Sequence, residues 1–256
     1  MLSHRRLPLL LSALIALVGI TSAQQSQPVV AQRDPQAISL ITKSLAAMGL
    51  PASPALETLA QGTLTDNTGQ PNPITFETAG LDRVRQNVGS DFSFVSNAGN
   101  GFLMLQGVRH SLTFWTTKYQ RPGHLPGLSL IADYLSSNFQ AQYVGLESVN
   151  GSPAHHLRIS MLPLDSTPVQ IEDLVSEFHV WIDQNSLLVV KTRTFDFSPE
   201  TPQNRTPVDT LFGNYQQQGG VLVPFHLVRY IAGQKDSDIV FTSISLTASN
   251  PDSDFQ

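Results

Sequence analysis

From Glu57 onward the chain reads as short runs of alternating apolar and polar residues, separated by turn residues. No other feature constrains the fold as much. A repeat of two places successive side chains on opposite faces of a strand. The early runs are Leu59–Thr65, Ile74–Ala79, Leu81–Val88, Phe92–Val95 and Phe102–Gln106. The later ones are Ala141–Val149, Ala154–Met161, Ile171–Ile182, Leu187–Phe197, Val208–Tyr215, Val221–Ile231 and Ile239–Thr247. Between them stand Asp66-Asn67-Thr68-Gly69, Gly80, Gly89-Ser90-Asp91, Asn97–Gly101, Asn150-Gly151, Asp183–Ser186 and Gly233–Asp236, which carry turn chemistry. Ser198 to Pro207, with three prolines, reads as a loop. About a dozen strands joined this way form one antiparallel sheet, and a sheet that long curls instead of lying flat.

Ahead of the strands lies a helical stripe. Asp34 is placed to cap the first free N–H groups, and Pro35 suits the first helical position. Ile38, Ile41, Leu45 and Met48 recur at spacings of three and four, and Gly49 and Pro51 end the pattern. Leu125 to Phe139 reads as a second helix, with Leu128, Ile131, Leu135 and Phe139 on one face. Leu112–Thr117 fits a strand or the tail of a helix starting near Val108. The expected class is α+β, mainly antiparallel β: an unclosed, strongly curved half-barrel wrapped around amphipathic helices.

Residues 1–23 have the form of a secretory signal: His4, Arg5 and Arg6, an apolar run Leu7–Ile20, and Thr21-Ser22-Ala23 as a small-residue cleavage site. The apolar run is shorter than the ~20 residues needed to span a bilayer. Gln24–Arg33 reads as a disordered leader, 34–249 as one domain and 250–256 as a flexible tail. The chain of 256 residues has no cysteine and a formal net charge of −5. Without basic clusters, that charge argues against nucleic acid as a partner. An exported chain of this size without cysteine points to a bacterial envelope, where the mature form would be soluble in the periplasm.

Catalytic and metal chemistry find no footing. His155 and His156 are adjacent on a strand and point to opposite faces, while His179 and His226 each fall alone on other strands. No His-x-x-x-His and no Gly-x-Ser-x-Gly occurs. Asp165, Glu172, Asp173 and Glu177 form a carboxylate-rich stretch that reads as solvated. The expectation is a non-enzymatic protein with no cofactor and no metal.

Three stretches carry a resemblance. They are Phe178–Phe197, with its strand ending in Trp-Ile-Asp; Tyr143–Ser160, with its Val-Asn-Gly turn; and the hairpin Phe212–Gly233, with Gly219-Gly220 and Val223-Pro224-Phe225. With the signal and the Asp34 helix, they resemble the LolA-like group of periplasmic proteins: the lipoprotein carrier LolA, the receptor LolB and sensor domains of the RseB type. The resemblance implies an unclosed barrel around helices, with an apolar cavity for acyl chains. It implies lipid acyl chains or a lipoprotein as partner, with an envelope protein as a further partner.

The residues expected to line such a cavity are Ile38, Ile41 and Leu45 on the helix, with Leu157, Ile159, Phe178, Val180, Val223, Phe225 and Leu227 on the strands. The same residues would serve equally as a dry core, because both need apolar side chains facing inward. The expected function is therefore a lipid or lipoprotein carrier or chaperone. The alternative is an envelope sensor or protein-interaction module on the same scaffold. Pro224, which cannot donate to a ladder, should lie where the barrel is unclosed or bulged.

Overall fold

The structure, a computed structural model, describes residues 30–50, 57–118, 123–165, 167–198, 201–246 and 255–256. The expected signal segment, residues 1–23, lies outside the described residues. Everything below concerns the compact unit from Ala31 to Gln256.

Helix α1 (Pro35–Ala47) forms as its sequence requires. Asp34, extended at φ −60°, accepts a hydrogen bond from the Gln36 amide, and Pro35 opens the first turn. Its buried face is Ala37, Leu40, Ile41, Ser44 and Leu45. Beyond it, Gly49 adopts φ +72°, and a Cβ there would meet the Gly220 carbonyl oxygen at 2.3 Å. Only glycine allows that approach. It lets the Met48 carbonyl accept from the Leu222 amide at 2.8 Å, so the helix end is hydrogen-bonded to the sheet.

The strands then run in two sets. The first is β1 (Thr58–Asp66), β2 (Pro71–Ala79), β3 (Arg83–Val88), β4 (Phe92–Asn97), β5 (Asn100–Leu105) and β6 (Val108–Ser111). The second is β7 (Phe139–Val149), β8 (Ser152–Met161), β9 (Phe178–Asp183), β10 (Val189–Ser198), β11 (Thr201–Gln218), β12 (Val221–Ile231) and β13 (Gln234–Ser245). All belong to one antiparallel sheet of 13 strands, in the order β6-β5-β4-β3-β2-β1-β13-β12-β11-β10-β9-β8-β7. Neighbours in the sheet are neighbours along the chain, with one exception: β1 pairs with β13 and joins the two sets. β6 and β7 stand at opposite edges and are not paired, so the barrel is unclosed. The connection from β6 to β7 must therefore pass from one edge to the other. It carries α2 (Phe114–Lys118) and α3 (Pro126–Tyr134). α1 and α3 share one face of the sheet with the main apolar cluster; this is the inner face of the half-barrel.

The structure corrects several expectations. Ile171–Ile182 is not a single strand: α4 (Val169–Ser176) precedes β9, with Glu172, Val175 and Ser176 buried at helical spacing. Leu112–Thr117 is neither the strand nor the long helix expected, because β6 ends at Ser111 and α2 starts afresh at Phe114. The second helix stops at Tyr134; Leu135 is exposed, and Phe139 is buried from strand β7 instead. Ser198–Pro207 is largely strand, not loop. β11 extends past the end of β12 there, since its pairing with β12 begins only at Val208↔Ile231. A strand paired on one side can hold prolines whose missing N–H faces outward. The turn expected at Gly233–Asp236 is tighter, because β13 already starts at Gln234.

Both ends of the domain are also tied down. Arg33, expected in the leader, bridges Ala141 of β7 in parallel, and the Ala141 amide donates to Gln32 at 2.9 Å. Phe255, expected in the tail, is 2% exposed and packs with Ala79, Val95 and Phe102.

Pro224 pairs with Tyr215 of β11, but the ladder between β12 and β13 reaches only to His226↔Val240. Beyond that point β13 continues against β1 alone. The N–H groups of residues 222 and 224 point to the same side of the strand, and that of Leu222 goes to Met48. The missing donor of Pro224 thus faces the place where the two strands part.

Replacing Gly49 with Ala should cost about 2 kcal/mol or more, because the Cβ collides with backbone and φ is positive. Gly151→Ala, at φ +83° with nothing within 4 Å, should cost clearly less. Urea unfolding with unchanged slopes would check the order.

Candidate functional site

The ten expected cavity residues come together on the inner face. Ile41 and Leu45 of α1, Leu157 and Ile159 of β8, Phe178 and Val180 of β9, and Val223, Phe225 and Leu227 of β12 all belong to one buried apolar cluster. Ile38 is half-buried at its border. Register accounts for part of this: Leu157 lies opposite Val180, and Ile159 opposite Phe178. The sequence reading did not assign Phe76 of β2, Phe241 of β13, or Leu128, Leu130 and Ile131 of α3 to the site, though all share the cluster. The apolar face of α3 was legible, but nothing local said that α3 lies over α1.

The cluster is packed. Where β12 and β13 part there is an apolar notch lined by Met48, Leu50, Leu125, Gly127, Val221, Val223, Pro224 and Leu246, among others. It has room for about one water molecule. The end of α1 and the start of α3 form its walls.

Among the described residues, the Ser44 hydroxyl on α1 and both ring nitrogens of His124 lie buried with no hydrogen-bonding partner. His124 is 1% exposed. Its ring centroid lies 3.6 Å from that of Phe76 and 6.0 Å from that of Phe241. Burial pushes its pKa down to about 3, so the imidazole is neutral. An unsatisfied buried polar group costs about 1–3 kcal/mol. By contrast, Tyr215, whose phenol burial pushes up, donates to the Val189 carbonyl at 2.6 Å.

The opposite face of β7 to β11 holds a polar network that the sequence reading missed. His155 and His156 do have separate neighbours, Tyr143 and Trp181. His179, however, is not alone. Its Nδ1 lies 2.7 Å from Nε2 of His156, whose Nδ1 lies 2.8 Å from Glu147 Oε1. On the far side, His179 Nε2 lies 2.8 Å from Glu177 Oε1. The chain Glu147–His156–His179–Glu177 therefore has three contacts and four ring nitrogens. All three are hydrogen bonds only when the two rings hold three protons between them. Burial, which lowers the proton affinity of His156, works against that. The juxtaposition follows from His156 pairing with Trp181 in the β8–β9 ladder, a register that the sequence alone does not show.

Of the four carboxylates expected to be solvated, Asp165 is exposed, 3.9 Å from Lys118, and the other three are paired. Glu172 is 1% exposed and bonds Lys118 at 3.1 Å. Arg158 bonds Asp173 at 2.7 Å and Glu177 at 3.0 Å, and Arg205 lies 3.5 Å from Glu177. Burial would raise the pKa of Glu177, but hydrogen bonds from His179 and Arg158 and the charges of Arg158 and Arg205 outweigh it and hold the carboxyl down at about 2. Among the described residues no three His, Asp or Glu side chains are grouped to hold a metal ion.

Solved structures share this fold at low sequence identity. A domain from Vibrio parahaemolyticus named for outer-membrane lipoprotein sorting matches with TM-score 0.54 and 11% identity, over 86% of this chain and 96% of its own. A LolA superfamily protein from Nitrosomonas europaea matches with TM-score 0.54 and 12% identity, over 86% and 97%. The fold is LolA-like. A DUF1329 family protein from Desulfovibrio piger shares it, with TM-score 0.54 and 11% identity over 88% and 98%. No family model and no curated protein matches the sequence. At such identities the likeness concerns the LolA-like half-barrel itself, not the residues inside it.

Two pH effects follow. Glu177, held at about 2 against a usual 4.5, stabilises the fold above pH 4.5 and loses that contribution as pH falls toward 2. Glu177→Gln should cost about 2 kcal/mol at pH 7, allowing for solvent screening, and the difference should vanish near pH 2. His124 remains neutral down to about pH 3, while an unfolded chain takes the proton near 6.5. Stability therefore falls between those values, and His124→Phe should flatten that fall. Thermal unfolding across the pH range reads both.

Proposed function

We propose that this chain is a non-enzymatic lipid-binding protein of the bacterial envelope, a carrier or chaperone that shelters acyl chains on the inner face of the half-barrel. One observation carries this reading: α1, α3 and the inner strands share a single continuous apolar cluster, and the sheet above it parts between β12 and β13 at an apolar notch. A packed apolar interior that adjoins an opening can exchange side-chain contacts for methylene contacts at little net cost. Each buried methylene then contributes about 0.8 kcal/mol. Ile38, Ile41, Leu45, Leu157, Ile159, Phe178, Val180, Val223, Phe225 and Leu227 would contact the chains, and α3 would move to admit them. The LolA-like fold, and the lipoprotein-sorting name of one neighbour, agree with this reading. The signal pattern of residues 1–23 supports export to the periplasm. No described helix is long and apolar enough to cross a membrane.

A second reading draws on the packing itself. A packed apolar cluster beside a notch with room for about one water suits a sensor or interaction module whose partner is an envelope protein. Val108–Ser111 would then serve as a docking edge, since β6 is exposed along its whole length.

Native mass spectrometry of the full chain purified from an envelope fraction separates the two. The expected result is a mature chain starting at Gln24 that carries lipid, takes up a fluorescent fatty acid and gains stability with it. At a hundredfold excess over Kd the gain should be about 2.7 kcal/mol. A chain that arrives empty, takes up nothing and shows no thermal shift overturns the carrier and leaves the interaction module. Phe225→Ala should cost about 3 kcal/mol without ligand, and added fatty acid should recover part of that loss.

A further inference from the structure

We propose that His124 is the polar recognition point of the interior, and that it selects ligands with an uncharged acyl ester or amide over plain hydrocarbon. This rests on the lipid-binding reading above and adds the chemistry of the group recognised.

The decisive groups are the two ring nitrogens of His124. Both are buried and neither has a partner, whereas most buried polar atoms in folded proteins are satisfied. The neighbouring rings of Phe76 and Phe241 offer no acceptor or donor of ordinary strength. A neutral imidazole presents one N–H donor and one lone-pair acceptor on different sides of the ring. The complementary guest therefore brings a carbonyl to accept and a hydroxyl or amide N–H to donate. An acyl ester carrying a free hydroxyl has both.

Charge narrows the class further. The rings packed on His124 are those of Phe76 and Phe241, and the imidazole itself is neutral. An ionised carboxylate or phosphate against them would lose its hydration and find no charge on these three groups. The recognised group is therefore uncharged, and any charged head must remain outside. Position supports this role. His124 directly precedes Leu125, which lines the notch between β12 and β13. Ser44, also unpartnered and facing the interior from α1, is a second polar contact available to such a guest.

The test compares wild type, His124→Phe and His124→Gln by competition. Diphenylhexatriene serves as a purely hydrocarbon probe and monooleoylglycerol as the ester. Wild type should bind both. His124→Phe should bind the hydrocarbon within twofold of wild type but lose about tenfold for the ester, the worth of one well-placed hydrogen bond. His124→Gln, which keeps a donor and an acceptor, should recover part of that loss. If the ratio of the two affinities is the same in all three proteins, His124 is a core residue or holds only water, and the proposal is overturned while lipid binding stands. If wild type binds neither probe, the lipid-binding reading fails and the proposal with it. Should His124→Phe not fold, His124→Gln against wild type still gives the ratio, and an unchanged value overturns the role.

Discussion

The fold depends on one long-range pairing, that of β1 with β13. Every other strand contact joins neighbours in the chain, through short turns except between β8 and β9, where α4 intervenes. The β1–β13 ladder instead runs from Leu59↔Ser245 to Asp66↔Ser237 and merges two meanders into one sheet. It is a tight fit. Gly62 sits at a register shift, where a Cβ would lie 2.3 Å from the Val240 carbonyl oxygen. Once this ladder forms, β6 and β7 become the two outermost strands and the helical connection has to cross from one to the other. α1 and α3 then meet over the inner face, against its apolar cluster.

Burial divides the molecule into two chemical regimes. Inside, apolar packing dominates, and among the described residues Ser44 and His124 lie there unpartnered while Tyr215 is bonded. Outside, on β7 to β11, partly buried charges are matched one to another through Glu147, His156, His179, Glu177 and the arginines. The second arrangement makes the interior histidine more informative. This chain satisfies its half-buried polar groups closely, so an imidazole without a partner in the apolar cluster points to a guest.

Much of the architecture was legible in the sequence because it rests on local rules. The Asp34 cap, the stripe of α1 and the alternating strands up to Val88 follow from side-chain periodicity and turn chemistry. Misreadings arose where context reversed a local rule. Three prolines suggested a loop over Ser198–Pro207, but a strand paired on one side leaves room for missing donors. Ile171–Ile182 suggested one strand, yet Val175 and Ile182 are buried by different elements, α4 and β9.

The sequence by itself determined the class of the protein: an antiparallel sheet too long to lie flat, an amphipathic helix to cover it, and no cysteine, metal motif or nucleophile motif. These depend on residue type and short spacing, which a single chain displays. Only the tertiary structure decided what meets what. It placed His156 against His179, buried His124 beside Phe76, and opened the sheet at Pro224. Each depends on strand register or on contacts between distant segments. A one-residue slip would turn every side chain to the other face, and no local pattern carries that information.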